Sequence, residues 1–345
     1  DSIRRESFFI GAGPVSVSLP GMRPEAWLTG ITSTGYGYFE PDTASVAFLT
    51  RHLTGFPVAV RGAAWMRLYE AFLRGKVPLA SFTQALTQAL KSEKEPLILD
   101  YLFDRLHVVY WQFASPGARQ EWQKPLENAL LGRILGNEDQ GLRKDFLMAY
   151  AQTAQSSAAV ANLQKWQLAG RTPVPLSAQE RLDLVLQLAL RKPAQAQNLL
   201  GQFGKTLNDS HIQEQVAFLR PAFSPDTAKQ AGLFRSFAEP AARSHETWVL
   251  QAVRLMKHPL RNAPPQFLLH TGLKLFPGMA RSGNVFFGEN WLAALMQYRN
   301  TKRCAEIIQQ FLLDNPELSV TLKNKILQQA DLCFRAAPEN ETFKK

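Results

Sequence analysis

The sequence predicts a mainly α protein, an α-α superhelix of stacked antiparallel helix pairs preceded by a short N-terminal β segment. Three observations carry this. From residue 42 onward, apolar residues recur at three- and four-residue steps. Prolines, glycines and cap residues cut that pattern into lengths of roughly 10–20 residues, the ordinary size of globular helices. No strict repeat of letters accompanies it. That favours degenerate helix pairs of the HEAT or armadillo kind over a tetratricopeptide array, whose period is fixed at about 34 residues.

The first forty residues stand apart. Phe8-Phe9-Ile10, Val15 to Leu19 and Ala26 to Thr29 read as short strands, punctuated by Gly11, Gly13, Pro14, Pro20 and Gly21. Two or three strands are marginal alone. They read as the remnant of a β domain whose other strands lie upstream. Residues 1–40 are therefore expected to be remnant strands of a β-sandwich and a junction, and 41–345 one helical domain.

Asp42 can cap a helix holding Val46, Leu49 and Leu53. Pro57 opens a second helix, with Trp65, Leu68, Tyr69 and Phe72 on one side and an end near Gly75. Pro78 opens a third, through Leu90, and Pro96 a fourth, through Tyr110. Ser115-Pro116-Gly117 breaks the chain. Further helices are expected over 118–135, 138–154, 156–168, 177–191, 193–203, 209–219, 225–237, 245–256, 264–276, 289–298, 301–314 and 319–336. Ser177 followed by Glu180 has capping-box spacing.

Composition bounds the function classes. The 345 residues are 46% hydrophobic and 20% charged, which fits a packed globular chain and argues against disorder. Two cysteines, Cys304 and Cys333, cannot build a disulfide framework or a four-cysteine zinc site. They fall on adjacent helical patterns, where they could form one bridge or serve as two small buried hydrophobes. No run of 18 apolar residues appears, so no membrane span is expected. The start, Asp1 to Arg5, is no signal peptide, and the absence of an initial Met suggests processing or a cut from something longer. The pI of about 9.7 and the few cysteines suit an exported bacterial protein as well as a cytoplasmic one.

The net charge of +10 invites a nucleic-acid reading. The basic residues are scattered, however, as at Arg67, Arg74, Arg181, Arg191, Arg254 and Lys257, and no nucleic-acid motif accompanies them. On helix faces such residues are ordinarily solvated. A zinc peptidase needs two imidazoles one helical turn apart. None of the six histidines has a second His four residues on. His245-Glu246 has the first two letters of HExxH but Val249 at the last, and reads as a helix start capped by Ser244. There is no GxSxG elbow, no phosphate-binding loop and no dinucleotide fingerprint. Asp100 and Asp104 share a helix face, as a catalytic pair would, or as a polar stripe would. The residues alone therefore lead to a basic helical array with a concave binding surface.

The C-terminal stretch adds a resemblance. Asn284 to Leu292 (NVFFGENWL) leads into Ala305 to Leu312 (AEIIQQFL), then Leu322 to Arg335 (LKNKILQQADLCFR). This is similar to the end of the M1 family of zinc aminopeptidases, where an IFFPxNWL element precedes a helix pair and a closing LKxKILQxADxLFR helix. Gly35 to Asp42 (GYGYFEPD) resembles the family's GYGRFxLD junction between its β-sandwich and helical domains, and Ala63-Ala64-Trp65 with Leu68 follows at the family's spacing. His258-Pro259-Leu260-Arg261 has a counterpart in bacterial members. The resemblance spans about residues 8–336. Gly288 stands where the family has Pro, and Tyr298-Arg299-Asn300-Thr301 where it has a Gly-His-Thr-Ser turn.

The resemblance implies a non-catalytic C-terminal part that encloses the active-site chamber and shapes substrate access. The family's zinc ligands, HExxH helix and GxMEN loop lie in an upstream domain. None of these motifs is in this chain, so no catalytic residue is carried over and no cofactor is expected here. The implied partners are that upstream domain and peptide substrates. Arg261 and Arg281, near recognisable elements, are the candidates for binding a peptide carboxylate. Asn290 and Trp291 are expected to cap and pack a helix, and Tyr36 to pack at the junction. The rival reading is a free-standing α-solenoid that binds a protein or peptide.

Overall fold

Residues 16, 24–29, 37–136, 139–168, 171–206, 208–261, 267–281 and 284–337 are described by a computed structural model. Among them the chain is mainly helical, and no strand occurs. Residues 26–29, expected to be a strand, are not in one. The backbone N–H of Trp27 instead donates to Ser45 Oγ at 2.8 Å, tying this segment to the first helix. The other expected strands, apart from Ser16, and Tyr36 lie outside the described residues.

The first helices are α1 (Thr43–His52), α2 (Val58–Leu73), α3 (Leu79–Ser92), α4 (Pro96–Val108) and α5 (Pro116–Ile134). Asp42 caps α1 by accepting from the Ser45 N–H at 2.8 Å, and Ser115 caps α5. Gly75 follows α2 with φ of 70°, a left-handed stop that glycine adopts without strain. Beyond α4 the helix widens into a π turn, Val109–Phe113.

Then come α6 (Gln140–Thr153), α7 (Ser157–Trp166), α8 (Ala178–Arg191), α9 (Ala196–Lys205) and α10 (Ser210–Leu219). The capping box on α8 forms in both directions between Ser177 and Glu180. The last six are α11 (Thr227–Ser236), α12 (Glu246–Met256), α13 (Phe267–Met279), α14 (Phe287–Met296), α15 (Lys302–Asp314) and α16 (Val320–Ala336).

Two details depart from expectation. Ser244 does not cap α12; His245 holds that position and its ring stacks on Trp248 at 3.9 Å, so an aromatic contact fixes the entry. Glu246 turns outward and accepts from the Asn284 N–H at 2.9 Å. Asn290 lies inside α14 and caps nothing, whereas Asn284 Oδ1 accepts from the Phe286 N–H. Trp291 packs as expected, fully buried, with its indole N–H on Gly272 O at 3.0 Å. Both cysteines are free thiols; Cys333 is buried and Cys304 half-buried.

The even-numbered helices form a continuous row from α2 to α16, each packed on the next. The row closes, because α16 also packs on the π turn that follows α4. Arg335 of α16 donates to Leu73 O at the end of α2. Asn300 Nδ2 donates to Gln112 O at 3.1 Å, and the Gln112 amide returns a hydrogen bond to Arg299 O.

Two apolar cores fill the space between this row and the odd-numbered helices, one from Val46 to Leu188 and one from Leu182 to Cys333. α8 belongs to both: Leu184 and Leu188 face the first, Leu182, Val185 and Leu186 the second. Its burial on nearly all sides joins the halves into one body.

The basic excess acquires a structural use. The last carbonyls of a helix have no partner within it, and here arginines from neighbouring segments supply one. Arg133 Nη1 donates to Leu90 O of α3 at 2.8 Å, Arg143 Nε to Ile134 O of α5 at 2.8 Å, and Arg191 Nη2 to Gln152 O of α6 at 2.9 Å. Arg243 does the same for Phe237 O after α11, and Lys257 for Gln297 O after α14. A cation at a helix C-terminus also meets the favourable end of the macrodipole.

Candidate functional site: a charged cavity inside the helical row

The row encloses a cavity of about 750 Å³. Its walls have a simple register. α4, α6 and α8 each present positions i, i+3, i+4 and i+7, the one-sided stripe of an α-helix, and α12 presents Gln251, Arg254 and Leu255, with His258 in the turn after it. The stripes begin at Asp100, Asp145, Asp183 and Gln251, and end at His107, Gln152, Leu190 and His258. Seven residues rise about 10.5 Å along a helix, so the starting and ending layers lie about two turns apart. Gln251 Nε2 donates to Asp183 Oδ1 at 3.2 Å, which aligns α12 with α8 at the first layer.

The two layers differ in charge. Asp100, Asp145 and Asp183 make the first acidic, and Asp104 adds a carboxylate one turn further along α4. Burial raises the pKa of Asp183, and burial together with the neighbouring Asp100 raises that of Asp145.

The second layer carries neutral polar groups, His107, Gln152 and His258, beside Leu190. His107 Nε2 lies 3.0 Å from the Tyr298 hydroxyl and 2.9 Å from the Gln297 amide nitrogen. Burial brings the His107 pKa down to about 4, so the ring is neutral at pH 7. His258 is likewise held well below its ordinary value, by burial and by the surrounding Arg191, Lys257 and Arg119. Lys257 is 2% exposed, and burial, with Arg299 and Arg254 near it, holds its pKa well below the ordinary lysine value.

Tyr298 closes the floor. It has φ of 65°, in the left-handed region that costs a non-glycine residue roughly 1–2 kcal/mol. The loop after α14 that carries it is clamped by Gln112 and by Lys257. Together with His107, Arg254 and Gln297, Tyr298 separates the main cavity from a second one of about 230 Å³ toward α16.

Arg261 and Arg281 line neither cavity. Arg261 donates to Ser224 O at 3.4 Å and its guanidinium lies over the Phe223 ring at 5.6 Å, while Arg281 is exposed after α13. The cations in the cavity lining are Arg105 and Arg254, and the second of these was grouped in the sequence with scattered, solvated charges. Asp100 and Asp104 do share a face, and it is turned into the cavity.

Among the described residues no group of three or more His, Cys, Asp or Glu is placed to hold a metal ion. No described helix is long and apolar enough to cross a membrane. The cavity thus offers charge, hydrogen-bond donors and shape, the means of binding a ligand. Comparison with known proteins adds no relative, since no protein-family model matches the chain and no curated protein matches it.

Proposed function

We propose that the chain is the C-terminal, non-catalytic part of an M1-type zinc aminopeptidase, a HEAT-like α-α superhelix that encloses the active-site chamber and shapes access to it. The whole enzyme would release N-terminal residues from peptides. The observation that carries this reading is the return of α16 onto α2 and the π turn, which makes a bowl with a polar interior. A bowl of this kind suits enclosure of a reaction taking place on a domain above it, where closure excludes water. The sequence resemblance across residues 8–336 supports the same reading. Zinc belongs to the upstream domain, and no step is assigned to it on these residues.

The test uses an antibody raised against this chain to isolate the protein from its source cells. A band more than about twice 38.7 kDa, leaving room for an upstream domain of typical size, with chelator-sensitive aminopeptidase activity, is the expected result. The 345-residue chain alone should release nothing. A native band near 38.7 kDa would overturn the reading in favour of a free-standing binding scaffold. Stoichiometric zinc with activity in this chain alone would overturn it in favour of an enzyme.

A further inference from the structure

The smaller cavity lies on the seam where the row of helices closes. Its lining comes from α4 and the π turn, from Arg254 of α12, and from α14, the loop after it and α16. Elements from the two halves of the chain therefore meet around one space of about 230 Å³. An apolar cavity of roughly 150 Å³ takes a benzene ring, so this one has room for such a ring and one small substituent.

The lining divides by chemistry. Val108, Ala293, Met296 and Leu332 supply apolar surface. The polar part is incompletely satisfied. His107 Nε2 is engaged, 3.0 Å from the Tyr298 hydroxyl and 2.9 Å from the Gln297 amide nitrogen. His107 Nδ1 and Gln297 Oε1 are both buried and both without a hydrogen-bond partner. Gln152 of α6 also acts on the His107 ring, but it does not satisfy Nδ1. The ring is neutral at pH 7, so one of its nitrogens donates and the other accepts. With Nε2 accepting from the Gln297 amide, Nδ1 is a donor without an acceptor and Oε1 an acceptor without a donor. Turning over the amide and the tautomer together exchanges the two roles and leaves the same deficit. Either way the wall holds one unmet donor and one unmet acceptor on adjacent side chains, and leaving both empty away from water is costly. The left-handed backbone of Tyr298 adds strain at the same spot, and such strain gathers at ligand clamps.

A paired donor and acceptor match the edge of a carboxamide or a lactam, which carries one of each. A water molecule can answer the pair, but not the apolar remainder of the cavity. A carboxylate has acceptors only, and would turn a lone pair toward the unmet acceptor. An ammonium or guanidinium has donors only, and would stand beside Arg254.

We infer that the small cavity binds an uncharged planar molecule, an aromatic carboxamide or a lactam ring, with its amide edge on His107 and Gln297 and its ring among Val108, Ala293, Met296 and Leu332. Because the lining joins α4 and the π turn to α14 and α16, occupancy ties the seam and stabilises the closed row. The site rests on these side chains alone and does not depend on an upstream catalytic domain.

Benzamide is the probe, titrated into the 345-residue chain by calorimetry and by thermal melting. It should bind with a dissociation constant below about 1 mM, and the melting temperature should rise with its concentration. Toluene keeps the ring without the amide, and benzoate keeps the acceptors without the donor. Each should bind at least about tenfold more weakly, the loss of buried hydrogen bonding. Gln297→Leu removes the unmet amide, and should weaken benzamide at least about tenfold while leaving toluene unchanged. Ala293 lines the small cavity and not the large one, so Ala293→Leu should abolish binding of both by filling the space. Circular dichroism confirms that each variant is folded; should either unfold, the ranking of benzamide, benzoate and toluene on the parent chain decides. Neither heat nor a melting shift up to roughly 10 mM benzamide would overturn the inference. So would benzoate or toluene binding as tightly as benzamide, or undiminished benzamide binding in a folded Gln297→Leu or Ala293→Leu protein.

Discussion

Replacing Tyr298 with glycine sets two effects of known sign against each other. The left-handed φ of 65° costs tyrosine roughly 1–2 kcal/mol that glycine does not incur. The M1 pattern resembled here has glycine at this place, which makes the substitution a natural one to test. Against that relief stands the ring, packed against His107, at 5.5 Å between centroids, and His258, at 5.0 Å, with the Lys257 ammonium 4.8 Å from its centroid. Removing a buried aromatic side chain costs about 3–5 kcal/mol, and the half-buried setting puts this one near 3. The hydroxyl contact with His107 contributes about 1 kcal/mol more, and glycine adds unfolded-state entropy of about 0.5–1 kcal/mol. The ring wins, and Tyr298→Gly should destabilise the chain by about 2.5–4 kcal/mol.

Tyr298→Phe keeps the ring and the strain and loses only the hydroxyl, so it should cost about 1 kcal/mol. Urea unfolding followed by tryptophan fluorescence measures both, read as midpoint shifts at constant slope. A Tyr298→Gly protein at least as stable as the parent would refute the reasoning, since strain would then outweigh every contact of the ring.

Four further outcomes follow from the packing. Burial pushes the Glu93 carboxyl up, but the Arg61 guanidinium at 2.8 Å and the N–H groups of Lys94 and Glu95 outweigh it and hold it below the unperturbed 4.5. A carboxyl depressed in the folded state stabilises above its unfolded pKa, and the gain is lost as pH falls through the folded value. Glu93→Gln should therefore cost about 2 kcal/mol at pH 7 and flatten the loss of stability below pH 4.5, seen in melts across pH 3–7; an unchanged acid limb would contradict it. Gly288→Ala puts a Cβ 2.9 Å from the Ala280 Cα, a backbone atom that cannot step aside, so melting should fall by the equivalent of about 1–3 kcal/mol. Arg191→Met removes a guanidinium whose pKa burial lowers to about 10, but it strands the Gln152 and Ala154 carbonyls, and the net should be a loss of about 1–3 kcal/mol in urea titrations. Burial lifts the Cys333 thiol to about 12, so Ellman's reagent at pH 8 should label one cysteine, Cys304, until the chain unfolds.

The helix boundaries were legible because their causes are local. Asp42, Ser115 and the Ser177–Glu180 pair sit within three residues of the N–H groups they cap, and the apolar period lies in the same short window. Where the determinant was a contact rather than a letter, the reading slipped. The entry of α12 is set by His245 on Trp248, not by the better capping residue Ser244. The cavity was hidden for a related reason. A polar stripe on a helix marks the face away from the apolar core, and in a row that closes on itself that face can be the inner wall as readily as the outer surface. Asp100 and Asp104 read alike in both cases.

One signal was nevertheless present: Asp100, Asp145 and Asp183 occupy the fifth or sixth position of α4, α6 and α8. Once those helices lie side by side, that shared position brings the carboxylates to one level. The arginines were harder, because their partners are main-chain carbonyls, which carry no letter. Arg191 and Arg254 look identical as entries in a charge count. They part company only after each helix end has been assigned its donor: Arg191 is then fully engaged with Gln152, Ala154 and Gln187, while Arg254 has its fork still open toward the cavity.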